Sequence, residues 1–353
     1  MPIEEEHPLS GPTEIPALPQ RSSNRQVLLS GRPDGIPEAR HFTVSEAPIP
    51  DPGPGEFLVR NIYLSVDPAQ RGWASSEANY SEPVQLGTPM RALALARVER
   101  SHAESVSEGE FLYGWFGWQD FCIATPAAIM TRATRALPLA QFAGLLGLNG
   151  LTAHLALTRL GRPEAGDTVL VSTAAGGVGS LVGQIAKSLG CRTIGLTGSD
   201  EKAALCRDAY GYDVALNYKT ADLAEAVRET APEGIDVFFD NTGGPILDTA
   251  LRHMAVGGRV VQCGTASVPT WTPPPTGPRN EREVLTRRLV WSGFIIFDHQ
   301  AHFAAASEDL ADLHADGKID LRLEIKDGIE AAPGSIADLY AGRNLGKRLI
   351  LLT

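Results

Sequence analysis

The sequence predicts an α/β protein that joins a β-rich module to a doubly wound parallel sheet. Three observations carry this prediction. Residues 25–136 alternate short strand-like runs with Gly/Pro turns, as all-β modules do. After residue 137, helical stretches alternate with apolar strands, which is typical of a parallel sheet covered by helices. The strand-like run 168–172 passes through a turn of small residues into the helical pattern 181–189.

The β-rich module follows residues 1–24, whose Pro, Glu and Ser content predicts a flexible N-terminal arm. We expect strands over 57–64 and through the run 114–121, and the Pro/Gly cluster 50–55 marks a turn between strands. The tail 321–352 mixes strand patterns with one helical pattern, and it could return to this module.

The parallel sheet is predicted from apolar runs between helical patterns. Beyond 168–172, strands are expected over 192–197, 214–216, 235–239, 259–262, 289–291 and 293–297. The Pro-rich segment 268–280 predicts a loop over a cleft, and a helix is expected over 304–315.

The turn after residue 172 carries small residues at Ala174, Gly176 and Gly179, the three positions of a dinucleotide-binding fingerprint. Between a strand and a helix, such a turn presents backbone amides and a helix dipole to a phosphate group. An ordinary tight turn remains the alternative interpretation.

The end of the next strand indicates which dinucleotide is bound. An NAD site usually places a carboxylate there, whereas this chain has Thr197, Gly198 and Ser199, followed by Lys202. A cation without a carboxylate suits a 2′-phosphate, so NADP(H) is favoured. Two alternatives stay open, because Lys202 could be solvated and the nearby acidic pair 200–201 could supply a carboxylate.

Composition excludes several other classes of function. The net charge is −11, from 42 acidic and 31 basic residues, and no basic tract suits nucleic acid. No apolar run approaches the ~18 residues that span a bilayer, and the acidic N-terminus does not resemble a secretory signal. The four cysteines are scattered, which favours reduced thiols in a cytoplasmic protein.

Ordered motifs extend from about residue 24 to the C-terminus. In the second half they are LNGLTA at 148–153, STAAGGVGS at 172–180, GSDEK at 198–202, NYK at 217–219, DNTGG at 240–244, Cys-Gly at 263–264 and GRNLGK at 342–347. In the first half they are SVDP at 65–68 with Arg71, LGTPM at 86–90 and GWQD at 117–120. Together these motifs resemble the zinc-independent medium-chain reductases, a family that includes prostaglandin (leukotriene B4 dehydrogenase) reductases, plant alkenal double-bond reductases and bacterial curcumin reductase.

The resemblance implies a GroES-like catalytic domain from residues 25–140 and 321–353, with a Rossmann NADP-binding domain from 141–320 between them. It implies NADPH-dependent reduction of a C=C bond conjugated to a carbonyl, on a small α,β-unsaturated substrate, by a homodimer that could pair through the strand at 293–297. The residues it assigns to the cofactor are Gly176, Gly177, Val178, Gly179, Lys202, Tyr218, Asn241, Cys263, Gly264, Phe294, Ile295, Ile296 and Asn344.

On the substrate side the chain departs from the family. Ala69 and Pro269 stand at the two usual tyrosine positions, so the proton donor cannot be carried over. Tyr80 is the candidate catalytic residue, because it brings a phenol to the family's substrate-side loop. The candidate substrate-binding residues are Arg71, Asn149, Trp271 and Phe294. No metal is expected, since neither the cysteines nor the histidines have the spacing of a zinc site.

Two other functions stay open at this point. The same scaffold could serve a quinone reductase or an alcohol dehydrogenase, and fold analogy does not separate these activities. The loss of both tyrosines also allows a non-catalytic NADPH-binding protein.

Overall fold

The computed structural model describes residues 15–77, 79–133, 137–268 and 273–353. The chain forms two compact units. One contains the residues up to Gly147 together with Leu323–Leu339 and Arg348–Thr353, and the other contains Leu148–Arg322 and Tyr340–Lys347. The tail is therefore shared between the units, whereas the sequence placed all of 321–353 with the first. The domain limits drawn from the sequence stay a prediction.

Among the described residues, strands predominate up to residue 132, and strands alternate with helices from residue 148 onward. Up to residue 145 they are β1 Asn24–Leu29, β2 Phe42–Ala47, β3 Phe57–Ser65, α1 Gln70–Ala74, β4 Leu93–Ser101, β5 Phe111–Trp115, β6 Phe121–Ala124, β7 Ile129–Arg132 and α2 Leu139–Leu145. The central elements are α3 Leu148–Ala156, β8 Thr168–Ser172, α4 Gly179–Ser188, β9 Arg192–Thr197, α5 Asp200–Asp208, β10 Val214–Asn217, α6 Leu223–Thr230, β11 Ile235–Asp240, α7 Gly244–Arg252, β12 Met254–Gln262, α8 Glu281–Arg287, β13 Val290–Gly293 and α9 Phe303–Ala315. The tail adds β14 Leu323–Asp327, α10 Ala332–Tyr340 and β15 Lys347–Leu351. Shorter helical turns occupy Ala39–His41, Pro126–Ala128, Leu157–Gly161, Ile296–His302 and Ile329–Ala331.

The first unit is built around β3. This strand is almost wholly buried, because it pairs antiparallel with β4, β6 and β15. The ring of Phe57 packs edge-on against Phe116 at 6.4 Å. At the returning tail, the buried Arg348 guanidinium pairs with Glu324 at 2.9 Å and with Asp338 at 3.0 Å. The C-terminal strand therefore completes the sheet of this unit, as the sequence suggested.

The second unit is a six-stranded sheet in the order β10-β9-β8-β11-β12-β13, and its strands pair in parallel. The expected α/β fold, with a β-rich module and a doubly wound parallel sheet, is confirmed. The order reverses between β8 and β11, and ligands of such sheets bind at the carboxyl ends of the strands beside this reversal. Buried Leu170, Ile194 and Phe238 hold the middle of the sheet against its covering helices.

Two strand predictions are wrong in detail. The run 114–121 is interrupted at Gly117, whose φ of 70° is a left-handed turn conformation, so β5 and β6 are separate strands. The run 293–297 is not a strand beyond Gly293, because β12 ends at Gln262, the pairing partner of Gly293. Its apolar residues continue instead into the turn Ile296–His302. Among the described residues, no helix has the length and apolar character needed to cross a membrane.

Candidate active site

The connection from β8 to α4 forms the candidate cofactor turn, residues 173–178. Thr173 has a left-handed backbone, with φ of 56°, and its carbonyl accepts from the amide of Gly176 at 2.9 Å. The amide of Ser180 then donates to the Gly176 carbonyl at 2.9 Å as α4 begins. The turn therefore ends at the positive end of a ten-residue helix, which is suited to an anion.

Gly179, the first residue of α4, has no room for a side chain. A Cβ at Gly179 would lie 2.3 Å from the carbonyl oxygen of Thr173. From the other side, the Tyr212 hydroxyl donates to the Gly179 carbonyl at 2.6 Å. Burial raises the pKa of Tyr212 well above its usual value, so the hydroxyl keeps its proton and remains a donor. The glycine therefore allows the close approach of β8 and α4 at this turn.

The buried carboxylate of Asp240 joins three strand ends. Its Oδ1 accepts from the Ser172 hydroxyl at 2.9 Å and from the Thr242 amide at 2.8 Å. Its Oδ2 accepts from the Gly243 amide at 2.9 Å and from Gln262 Nε2 at 2.8 Å. Charge-assisted hydrogen bonds of this kind are strong, so β8, β11 and β12 end in a fixed arrangement.

Asn241 lies at the same strand ends. Its side-chain amide donates to the Ser172 carbonyl at 2.7 Å, and its backbone amide donates to the Ser172 hydroxyl at 2.8 Å. These bonds fix Asn241 beside the cofactor turn. Its role in binding the cofactor stays a prediction.

The Cys263–Gly264 turn is held by backbone hydrogen bonds. Both amides donate to the carbonyl of Asp240, at 2.8 and 3.0 Å, and a Cβ at Gly264 would lie 2.7 Å from the Asn241 carbonyl oxygen. Burial, reinforced by the Asp240 carboxylate, raises the pKa of Cys263 to about 12. The thiol is therefore protonated near neutral pH, and we expect the turn to act through its backbone.

Of the two residues expected to bind the 2′-phosphate, Tyr218 lies beside Gly198, which follows β9. The Tyr218 hydroxyl lies 3.1 Å, and Lys219 Nζ 3.5 Å, from the position of a Cβ at Gly198. The Nζ of Lys202 donates to the Gly342 carbonyl at 2.8 Å. One lysine and a phenol thus lie beside Gly198, and Lys219 was not predicted as a site residue.

Phe294 follows β13 and is 4% exposed. Its ring stacks on His299 at 4.7 Å, and its amide donates to the Gln262 carbonyl at 3.0 Å. Ile296 is also buried and Ile295 is partly buried. The segment assigned to the nicotinamide therefore starts at the end of β13, next to the end of β12.

The tail residue Asn344 belongs to the second unit. Its side-chain amide donates to the Gly346 carbonyl at 2.8 Å, and Gly346 forms a single parallel bridge with Gly176 of the cofactor turn. The returning tail therefore contacts the turn, although the role of Asn344 stays a prediction.

Asn149, expected on the substrate side, lies against the candidate cofactor turn, and its predicted role stays a prediction. Its Nδ2 is 3.0 Å from the position of a Cβ at Gly177. Its Oδ1 is buried and accepts no hydrogen bond from the described part of the chain. Two features fit a dinucleotide at this edge of the sheet. One is the set of glycines without room for a Cβ, and the other is the buried amide oxygen that lacks a hydrogen bond within the described residues.

Arg71 and Tyr80 lie in the first unit. Arg71 is on the short helix α1, whose preceding residue is Ala69. The Asn79 amide nitrogen lies 2.7 Å from the position of a Cβ at Gly72, so the loop carrying Tyr80 packs on α1. Tyr80 is 48% exposed. Trp271 and Pro269 fall outside the described residues.

Comparison with known proteins gives the family. Residues 25–131 match a family described as "N-terminal domain of oxidoreductase", and residues 177–312 match one described as "Zinc-binding dehydrogenase". The NADPH-dependent curcumin reductase of Escherichia coli is 35% identical over 94% of this chain and 97% of its own. The chain belongs to the medium-chain dehydrogenase/reductase family.

Two further members of this family support the assignment over the full length. The NADP(+)-dependent 2-alkenal reductase of Nicotiana tabacum is 33% identical over 95% of this chain and 99% of its own. The crystal structure of CurA in complex with NADPH, from Vibrio vulnificus, superposes with a TM-score of 0.87 at 36% identity and covers 93% of this chain and 99% of its own. The predicted resemblance to the curcumin, alkenal and prostaglandin reductases is confirmed, and the protein is an oxidoreductase.

The second matched description contains the word zinc-binding. Across residues 15–77, 79–133, 137–268 and 273–353, no three His, Cys, Asp or Glu side chains are grouped so that they could hold a metal ion.

Three residues that shape the site were missed from the sequence. Asp240 begins the motif DNTGG, but it and Tyr212 act through partners far along the chain, which the sequence does not show. Lys219 had a signal, since it follows Tyr218 directly in the motif NYK.

Proposed function

We propose that this protein catalyses the NADPH-dependent reduction of a C=C bond conjugated to a carbonyl, with hydride transfer to the β-carbon. The observation that carries the proposal is the full-length similarity to a curcumin reductase and a 2-alkenal reductase, at 35% and 33% identity. Curcumin and 2-alkenals share this conjugated group.

NADP(H) is the cofactor, as the strand end at Gly198 predicted. The NADPH-dependent relatives and the NADPH complex of CurA support this directly. The amides at Gly176–Gly179 and the start of α4 are suited to the pyrophosphate. Lys202, Tyr218 and Lys219 are suited to the 2′-phosphate.

The bound cofactor supplies a hydride. Addition at the β-carbon of the substrate would leave negative charge on the carbonyl oxygen. A hydrogen-bond donor must stabilise this oxygen until the α-carbon gains a proton, which completes the saturated product. Phe294, buried against His299, would present an apolar wall to the nicotinamide. We assign to this chain the tasks of positioning two reactants and of stabilising the oxygen.

We propose Tyr80 as the donor to that oxygen. The two tyrosines usual in the family are replaced by Ala69 and Pro269, and Tyr80 offers a phenol on an accessible loop that packs on α1. Arg71 on α1 is the proposed neighbour on the substrate side. Loss of two phenols would widen the cleft, so we expect bulky aryl or polycyclic enones to be better substrates than small enals.

The test is consumption of NADPH against a panel of enals, aryl enones, polycyclic enones and quinones, with NADH in parallel. We expect enone turnover with NADPH preferred. Faster turnover of quinones would favour the quinone reductase alternative. Tight binding of NADPH without turnover of any substrate would favour a non-catalytic protein.

We further propose a homodimer that pairs through β13. This strand is at the edge of the six-stranded sheet, and Val290 and Trp291 on it are 48% and 41% exposed. An exposed apolar edge strand is a template for pairing with a second copy. Light scattering should give the mass of a dimer, and Val290→Lys should reduce it.

A cytoplasmic location is also proposed. All four cysteines are free thiols, and burial raises the pKa of Cys191 to about 11 and of Cys206 to about 12. Unpaired thiols suit a reducing compartment. Cell fractionation tests this proposal.

A further inference from the structure

The side chain of Asn149 is crowded against the turn assigned to the pyrophosphate. Asn149 is 7% exposed, and its Nδ2 lies 3.0 Å from the position of a Cβ at Gly177. The Cβ of Lys347 lies 3.5 Å from the same point. Gly177 does not have a left-handed backbone, so space and not backbone strain limits a side chain there, and the Asn149 amide is its nearest neighbour.

The other end of this amide has no donor. Oδ1 is buried and forms no hydrogen bond within the described residues. Buried acceptors are almost always satisfied in folded proteins, so an unsatisfied one marks the place of a water or a ligand. An amide oxygen only accepts hydrogen bonds, and a substrate carbonyl offers no donor to it. A cofactor hydroxyl does.

We propose that Asn149 is a cofactor-binding residue that holds the pyrophosphate and nicotinamide-ribose half of NADP(H), an inference that rests on the proposed function. Nδ2, beside Gly177, is a donor suited to a pyrophosphate oxygen. Oδ1 is an acceptor suited to a ribose hydroxyl. The amide thus serves the cofactor, in place of the substrate role that the sequence suggested.

The test compares two ligands on the full-length protein by titration calorimetry, without any substrate. NADPH carries both halves of the cofactor, whereas adenosine 2′,5′-bisphosphate carries the 2′-phosphate and lacks the pyrophosphate and the nicotinamide ribose. Asn149→Ala should weaken NADPH about tenfold. Asn149→Asp should weaken it more, because a carboxylate of the same shape repels the pyrophosphate. Adenosine 2′,5′-bisphosphate should bind all variants within about twofold of wild type.

The proposal is overturned if NADPH affinity in both variants stays within about twofold of wild type. A raised KM for the enone at unchanged NADPH affinity would overturn it too, because it would show that Asn149 binds the substrate. Equal losses of affinity for NADPH and for adenosine 2′,5′-bisphosphate would also overturn it, because they would indicate that the cofactor turn has collapsed. A wild-type protein that does not bind NADPH would refute the proposed function itself. Asn149→Ser provides the same comparison should Asn149→Ala not fold.

A double-mutant cycle checks the contact independently. Gly177→Ala places a methyl carbon 3.0 Å from Asn149 Nδ2, closer than an ordinary contact, so it should weaken NADPH binding by shifting that amide. In the Asn149→Ala background, the loss of NADPH affinity caused by Gly177→Ala should be smaller by a factor of at least about three. Equal losses in both backgrounds would contradict the contact.

Discussion

The carboxyl edge of the parallel sheet and the loop that carries Tyr80 differ in how their residues are held. At the sheet edge, Asp240 is fully buried and accepts hydrogen bonds from neighbouring strand ends, and backbone atoms fill the space beside Gly179. The loop has an exposed phenol on a short segment packed against a five-residue helix. The first region tolerates little change, and the second can vary without disturbing a core. We therefore expect the fold to constrain the residues proposed for the cofactor more strongly than the loop residue proposed for the substrate.

The largest effect should come from Gly179→Ala. The new Cβ would lie 2.3 Å from the Thr173 carbonyl oxygen, so the turn must open. We expect NADPH affinity to fall about a thousandfold, or ~4 kcal/mol. Gly334→Ala is the control, because no atom lies within 4 Å of its Cβ position. Calorimetric titration with NADPH measures both, and near-wild-type affinity in Gly179→Ala would refute the rigid turn.

Asp240→Asn should affect stability next most strongly. The amide places a donor where the carboxylate accepts from Gly243 and Gln262. Breaking this buried network should lower the free energy of unfolding by about 3 kcal/mol. Urea unfolding of the full protein measures it. Glu229→Gln, on the exposed face of α6, should stay within about 0.5 kcal/mol, and equal effects of the two changes would count against a special role for Asp240.

Tyr80→Phe tests the variable region. Removing the proposed donor should lower kcat/KM for the enone on the order of a hundredfold, with NADPH affinity unchanged. Steady-state kinetics and NADPH titration separate the two effects. Unchanged kcat/KM would remove Tyr80 from the mechanism and leave the proton to solvent or to the cofactor ribose.

Lys219→Met should have a smaller effect that depends on the cofactor. Lys219 Nζ lies 3.5 Å from the Cβ position of Gly198, where the 2′-phosphate is expected. NADPH affinity should fall about tenfold while NADH affinity is unchanged. Lys318→Met, at an exposed lysine paired with Asp316, is the control and should change neither. A similar loss for NADH would place Lys219 outside the 2′-phosphate site.

The smallest effect concerns α3, the helix of Asn149. Burial lowers the pKa of His154 below 6.5, although its Nε2 lies 3.2 Å from Asp309. The folded protein therefore resists protonation of His154. This contribution to stability is complete above pH 6.5 and is lost as the pH falls through 6.5 towards the folded-state pKa.

His154→Gln should reduce this acid-side loss. Urea midpoints at about pH 7.5 and about pH 5.5 measure it. His102→Gln, at an exposed histidine of the first unit, should keep the wild-type pH dependence. The same pH dependence in His154→Gln would show that other groups carry the loss.

Local sequence patterns predicted the strands and the glycine turn at the carboxyl edge of the parallel sheet. Gly176 and Gly179 could be found because a strand, a glycine turn and a helix follow each other directly. The motif DNTGG includes Asp240, but its role could not be found, since its partner Ser172 lies 68 residues away in the sequence. The apolar run at 293–297 was wrongly predicted as a strand, because hydrophobicity alone does not separate a strand from a buried turn. The end of β12 decides between the two. On the substrate side, Ala69 and Pro269 removed the pattern from which a role could be transferred.

The most direct test of the central claim follows a deuterium label from C4 of NADPH into an enone product. We predict one deuterium at the β-carbon of a saturated ketone and none at the carbonyl carbon, as NMR of the product would show. Deuterium at the carbonyl carbon of an allylic alcohol would contradict the account and identify an alcohol dehydrogenase instead.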